Sequence, residues 1–420
     1  MDWARLDLGV GIIALGSLDQ VWSGIEDLVD VVEVEPQTLW PSRVRGGEQL
    51  SPEPLAWLRS CGRPLLCHGV GFPVGGTTAP DPDGVALSAA SMKALGAVHW
   101  SEHLAFNLAG DAYAGFLLPP VQTPGAVEAA IRHITNYRRL DDRPFLVETP
   151  TNYLQPVDGD LGDGEYVAAV AEGADCGILL DLHNVWANER NGRQSVEDFM
   201  AALPLERVWE VHLAGGFETN GYYLDAHVGS IDPELLALAA HIIPRLPRLR
   251  ALIYEAIPIS LAAQGPQGLQ DVLLSMHEIA DLPPQAPNVA RVTTAPFAAS
   301  PPLARTPAVI GRVATIETIS TAARETELLA FTTRKSTTMA LDDPGARLIR
   351  SLTDQARLSL LVRDHEATLR ALIAALGPAT AEAVLTEFLM VSRASIWRDE
   401  QSCAFNEWLA DRPDVRELVT

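Results

Sequence analysis

The sequence predicts an α/β protein: a TIM-type (β/α)8 barrel followed by a smaller, mainly helical C-terminal domain. Three observations predict it. Eight short apolar runs fall within the first 260 residues, separated by stretches of ~30 residues with helical patterning, the mark of repeated βα units and a parallel sheet. Seven of the eight end in a histidine or a carboxylate, always at the C-terminal end, where a closed barrel of such units carries its chemistry. Beyond residue 307 the composition shifts to helix formers.

Taken in order, Gly9-Val10-Gly11-Ile12-Ile13 is the run without a polar end. Val31-Val32-Glu33-Val34-Glu35 follows, then Pro64-Leu65-Leu66-Cys67-His68, whose next residues are glycine-rich and let a loop pass close to something bound. In Ala97-Val98-His99-Trp100-Ser101-Glu102-His103, extended backbone puts Ser101 and His103 on one face and Glu102 on the other. Phe145-Leu146-Val147-Glu148 stops at Pro150. In Gly177-Ile178-Leu179-Leu180-Asp181-Leu182-His183-Asn184, alternation aligns Asp181 with His183 while the strand lasts, and Asn184 turns inward if the strand ends first; the sequence leaves both open. Val208-Trp209-Glu210-Val211-His212 leads to a loop in which Asp225 and His227, two apart, point together in extended backbone. Leu252-Ile253-Tyr254-Glu255 closes the series.

A single strand-end histidine or carboxylate is usually a capping or hydrogen-bonding group. A succession of seven implies convergence on one polyvalent site. Mixed His/carboxylate donors suit Fe, Mn or Zn, and the lack of cysteine among them argues against an iron–sulfur cluster or a Cys-rich zinc site. The set is too large for one ion, so two or three are implied.

Bulk properties narrow the partners. The 420 residues exceed the ~250 of a barrel alone, and 47% hydrophobic content supports a large core. With 31 Lys+Arg against 54 Asp+Glu, the formal charge of −23 repels phosphate backbones and anionic lipid, which disfavours nucleic acid and membrane partners. Basic peptides, neutral substrates and metal cations remain compatible. Cys61, Cys67, Cys176 and Cys403 form no CxxC pair and are too few for a disulfide framework. No basic leader and no apolar run of ~20 residues is present, so the expectation is a soluble cytoplasmic protein. The expected division is a metal-binding barrel over 1–282, a Pro/Ala-rich linker over 283–307, and a helical domain over 308–420. That last domain reads as a docking or peptide-recruiting module, with helices expected from 346 to about 376, at 380–390 and at 402–410.

The motifs CHGVGF at 67–72, SEHL at 101–104, VETP at 147–150, LLDLHNVWAN at 179–188, HLAGG at 212–216, LDAH at 224–227 and YEAIP at 254–258 form an ordered set. In them the chain resembles the multinuclear non-heme iron-dependent oxidative enzymes, a family whose best-known type is the methanobactin biosynthesis oxidase. The resemblance spans nearly all of residues 1–285. It implies a barrel holding two or three irons of mixed Fe(II)/Fe(III) state, with O2 as co-substrate. The implied substrate is a ribosomally made precursor peptide, modified at a Cys or at an Asp or Asn. The implied ligands are His68, His103, Glu148, Asp181, Asn184, His212, Asp225, His227 and Glu255. The chemistry is expected at the metal centre, and the catalytic side chains are left open. Many members rely on a separate leader-binding partner protein; the C-terminal domain is either that partner fused in cis or an ordinary appended interaction domain, and the resemblance leaves both open. The chain departs from the family pattern at Gln37-Thr38, His183, Gly192 and Gly216, which puts the substrate residue in doubt more than the metal site.

Two other classes compete: a metal-dependent isomerase or hydrolase of the xylose-isomerase-like barrel type, and a non-catalytic peptide-binding barrel. The missing lysines for a sugar phosphate weigh against the first, and the complete set of donors against the second.

Overall fold

The computed structural model describes residues 4–16, 18–40, 50–285, 320–339, 343–395 and 397–418. Its strands are β1 (Gly9–Ile13), β2 (Val31–Val34), β3 (Leu65–Gly69), β4 (Trp100–His103), β5 (Phe106–Ala109), β6 (Ala112–Leu118), β7 (Phe145–Glu148), β8 (Gly177–Asp181), β9 (Val208–Ala214), β10 (Gly216–Thr219), β11 (Tyr222–Asp225) and β12 (Ala251–Glu255). Eight of them close a barrel in the order β1-β12-β9-β8-β7-β4-β3-β2, every neighbouring pair parallel. Each predicted apolar run is one of these staves. They read as continuous apolar runs because both faces are covered, the inner by the barrel and the outer by helices.

Helices between the staves start where short polar side chains cap them. Asp81 accepts from the Asp83 amide ahead of helix Pro82–Leu95, and Thr123 from the Ala126 amide ahead of Pro124–Arg138. Proline in the first turn fixes the entry in both cases. The last barrel helix, Pro258–Ala280, is interrupted at Gly265 (φ 62°), just before Pro266.

The hairpins β5–β6 and β10–β11 are inserted directly after β4 and β9, at the barrel end that carries His103 and His212. The helical C-terminal region rests on them. Phe106, Ala114 and Leu118 of the first hairpin, Tyr222 and Leu224 of the second, and Tyr153 of the loop after β7 share one apolar cluster with Leu328, Leu329, Phe331 and Ile349. Polar contacts fasten the same interface: both Glu325 oxygens accept from the Thr77 amide at 3.0 Å, Arg324 pairs with Asp160 at 2.6 Å, and Asp343 accepts from the Gln155 amide at 2.8 Å.

The C-terminal helices are Thr321–Thr332, Pro344–Leu376, Pro378–Val391, Arg398–Ala410 and Pro413–Arg416. The long one bends at His365 (φ −129°) and ends at Gly377 (φ 77°) before Pro378, as the sequence predicts. Helix Thr321–Thr332 had no sequence expectation. The expected linker, from residue 286 onward, and the start of the expected C-terminal domain up to residue 319 lie outside the described residues. No described helix is long and apolar enough to cross a membrane.

Candidate metal centre

Strand register brings the donors together. His103 and Glu148 are Cα partners across β4–β7, Asp181 and His212 across β8–β9, and His68 sits beside Ser101 across β3–β4. Inward-facing positions at the strand ends therefore stack imidazoles and carboxylates in one layer, where a barrel ordinarily carries branched apolar side chains.

Within that layer, His68, His103 and Glu148 form one group able to hold an ion. Glu148, Asp181, His212 and Glu255 form a second, sharing Glu148. Oε2 of Glu148 lies 3.2 Å from His68 Nε2 and 2.9 Å from His103 Nε2. Glu255 lies 3.2 Å from His212 Nδ1 through Oε1 and 3.4 Å from His227 Nε2 through Oε2. His227 in turn lies 2.8 Å from Asp225. Donors bound to one first-row ion at about 2.1 Å stand roughly 3 to 3.5 Å apart, the spacing found here. Oε2 of Glu148, Oδ2 of Asp181, both nitrogens of His212, Nε2 of His227 and Oε2 of Glu255 are buried and lack a hydrogen-bond partner. Buried polar atoms without partners are costly, and these converge, so the donor set fits bound cations.

Neighbouring groups orient the rings. His68 Nδ1 meets Ser101 Oγ at 2.8 Å, and His103 Nδ1 meets the Gly69 carbonyl at 3.0 Å. With those nitrogens engaged, Nε2 of each ring faces Glu148 and is the nitrogen left for a metal. A Cβ at Gly69 would come within 2.1 Å of Glu102 Oε2, so a larger residue there would have to displace that buried carboxylate.

The two residues left open in the sequence both stand beside Asp225. β8 ends at Asp181, whose Oδ1 caps helix Leu182–Arg190 by accepting from the Asn184 amide at 2.8 Å. Asn184 Oδ1 accepts from the Thr151 hydroxyl, which is also 3.2 Å from Asp225 Oδ2. His183 Nδ1 meets Asp225 Oδ1 at 3.1 Å, and its Nε2 is aimed toward Gly216, where a Cβ would come within 2.9 Å. Asp225 and His227 do converge, but through a turn rather than extended backbone: His227 has φ 52°.

Electrostatics follow from crowding buried charges. Burial alone would raise Glu148, but the His103 and His68 imidazoles outweigh it and hold the carboxyl well below its usual range. Burial opposes charge on His103, yet Glu148 pulls it up to about 10. Asp181 is raised well above the usual range by burial and then by Asp225, Glu255 and Glu148. A cation among these groups would relieve the repulsion among the carboxylates.

The sequence is matched over residues 16–256 by the family model described as "RiPP precursor modification enzyme MbnB/TglH/ChrH". That span is more than half of the chain. The protein belongs to this family. Curated relatives of this MbnB/TglH/ChrH member include a UPF0276 protein of Chromobacterium violaceum, 31% identical over 195 residues, covering 46% of this chain and 71% of the relative. A second, from Anaeromyxobacter, is 31% identical over 224 residues, covering 52% of this chain and 79% of the relative. Among solved structures, a xylose isomerase domain protein from Planctomyces limnophilus aligns with a TM-score of 0.45 at 13% identity, over 64% of this chain and 96% of that one. At such similarity its name does not transfer to the MbnB/TglH/ChrH chain.

Sequence reasoning passed over several groups of the site. Glu33, Glu210 and His99 lie directly beneath the predicted donors, all at most 1% exposed. Glu35 is raised to about 7 by burial and by Glu255, against the pull of His103 and His227. The signal that finds them is period two: Glu33 and Glu35, Glu210 and His212, and His99, Ser101 and His103 alternate onto one strand face.

Proposed function

We propose that the protein is an O2-dependent multinuclear iron enzyme that modifies a Cys, or an Asp or Asn, of a ribosomally synthesised precursor peptide. Family membership gives the coarser statement, an enzyme of precursor-peptide modification. The observation that carries the finer one is the overlap of two donor groups through Glu148, with a third pairing of Asp225, His227 and Glu255 alongside. The residues assigned to hold metal are His68, His103, Glu148, Asp181, Asn184, His212, Asp225, His227 and Glu255. The donor chemistry suits Fe, Mn or Zn, and the resemblance to the iron-dependent oxidative enzymes favours iron. Bound iron would supply one-electron redox chemistry, with O2 as the oxidant.

The side chains divide the work by depth. His68, Glu148, Asp181, His212 and Glu255 are all but sealed from water, whereas His103, Asp225 and His227 retain 17%, 18% and 27% side-chain exposure. A peptide reaches the centre at that second edge, between the two hairpins. The deep set fixes the ions and excludes water; the outer set leaves room for a substrate thiolate or carboxylate.

The helical C-terminal region covers both hairpins and is assigned to guiding the peptide, in place of a separate leader-binding partner. The test is O2 consumption by the iron-loaded protein with peptides encoded beside its gene. Peptide-dependent uptake coupled to a mass change in one residue is the expected result. Turnover of a sugar without O2, by a zinc or manganese form, would replace this reading with the isomerase or hydrolase.

A further inference from the structure

Below the metal-binding layer the barrel interior is again polar. Glu33 of β2 and Glu210 of β9 are both 0% exposed and His99, just ahead of β4, is 1% exposed. His99 Nε2 meets Glu210 Oε2 at 2.8 Å, which accounts for one Glu210 oxygen. Its other oxygen and both Glu33 oxygens have no hydrogen-bond partner. Charge buried this deeply is retained against a substantial desolvation penalty. The barrel would be better filled here by Val or Leu if stability alone were at stake.

The group facing these carboxylates is His212. Its ring lies between two layers: Nδ1 is 3.2 Å from Glu255 Oε1 above, and Nε2 is 3.0 Å from Glu33 Oε2 below, with Glu210 Oε1 at 3.8 Å. An imidazole has one proton to give when neutral, and the nitrogen that keeps it cannot also bind a metal. His68 and His103 resolve that choice with Ser101 and the Gly69 carbonyl, which engage Nδ1 and leave Nε2 for the ion. His212 is turned the other way round.

We propose that Glu33 is the positioning residue of the metal centre: it accepts a hydrogen bond from His212 Nε2–H, so that Nδ1 is the nitrogen turned to the ion that Glu148, Asp181 and Glu255 would hold. Glu210, held by His99, backs Glu33 and keeps the ring from rotating. Ligating histidines commonly have such a carboxylate behind them, and its loss weakens metal binding without removing a ligand. The inference rests on the ligand assignment of the preceding section. It adds which nitrogen binds and what holds the other.

The test is titration of the metal-free, full-length protein with Co2+, read by visible absorption and by competition with a chelator, alongside thermal melting of the metal-free form. Glu33→Met should lower affinity at one site by roughly 10- to 100-fold and alter its absorption bands. Its metal-free melting temperature should stay level or rise, because the desolvation of a fully buried carboxylate is removed while Glu255 and Glu210 still face His212. Glu33→Gln retains an acceptor oxygen and should recover part of the affinity, and it serves as well if the methionine variant folds poorly. Unchanged affinity and bands in both variants would overturn the proposal. So would metal loss that merely tracks a lowered melting temperature, which marks a structural role. Loss of one whole equivalent with the remaining sites untouched would make Glu33 a ligand itself. A wild-type protein that takes up no metal would instead sink the proposed function.

Discussion

His103 and Glu148 are Cα partners across β4 and β7, and His103 Nε2 lies 2.9 Å from Glu148 Oε2. Because the pair is fixed by backbone register, it does not depend on loop conformation. Glu148 is also within 3.2 Å of His68 and belongs to the group containing Asp181, His212 and Glu255. One carboxylate on the barrel wall is thus common to two groups that could each hold a cation, the arrangement on which the proposed multinuclear centre rests.

His212→Ala and Asp225→Ala should each lower bound metal by about one ion per chain and leave the barrel folded. Both side chains point into the site rather than into the apolar core, so the barrel packing survives, but each removal leaves buried neighbours unpaired (Glu33 and Glu255, or His227 and His183) and should lower the metal-free melting temperature. Elemental analysis with far-UV circular dichroism checks this. A full metal complement in both variants would refute the ligand assignment.

The metal-free protein should lose stability as the pH rises from about 7 to about 10. His103 is raised from 6.5 to about 10, its burial being outweighed by Glu148, so its contribution is complete below about 6.5 and drains away as pH climbs through 10. Glu102, raised from 4.5 to about 8 chiefly by burial, acts with the same sign over a lower window. Glu148 and Asp225, both held low by imidazoles despite burial, lose their contribution only in acid. Thermal melts across this range should fall for the metal-free form and stay flatter once metal replaces the protons. A flat metal-free curve would contradict the electrostatics.

Glu325→Ala should destabilise the protein by about 2 kcal/mol, the cost of losing charge-assisted hydrogen bonds to the Thr77 amide and hydroxyl. Thr77 lies in the loop that follows His68, so hydrogen exchange in that loop should rise together with exchange in helix Thr321–Thr332. Exchange rising in the helix alone would mean the contact does not restrain the site.

Gly345→Ala probes the same interface from its other side. A Cβ there would meet the Tyr153 carbonyl at 2.0 Å, and a backbone oxygen cannot swing away. Overpacking of this kind costs about 1–3 kcal/mol. The Tyr153 hydroxyl accepts from the Asp225 amide at 3.3 Å, so the variant should also weaken the metal position nearest Asp225. Chelator competition on the purified variant would show it; wild-type affinity would confine the effect to packing.

The staves were legible because parallel strands buried on both faces leave unbroken apolar runs, and the donors because those runs end at one rim. His103, Glu148, Asp181 and Glu255 close their strands and His68 and His212 lie within two residues of the end, where alternation and register fix them. His183 and Asn184 were not resolvable, since their directions depend on where β8 gives way to a helix, which Asp181 decides by capping it. Asp225 and His227 meet through a left-handed turn that no periodicity announces. Glu33 and Glu210 were passed over because they lie one layer below the strand ends, in positions that usually read as core. The fit of the C-terminal helices onto both hairpins is a tertiary contact between segments far apart in sequence, and no local pattern encodes it.

The central claim is that these side chains hold several ions at once. Metal content of anaerobically purified protein, with Mössbauer spectra of an iron-57 sample, tests it most directly. Two or three irons per chain with coupled ferric and ferrous signals are expected. A single isolated ion, or none after iron-rich expression, would contradict it.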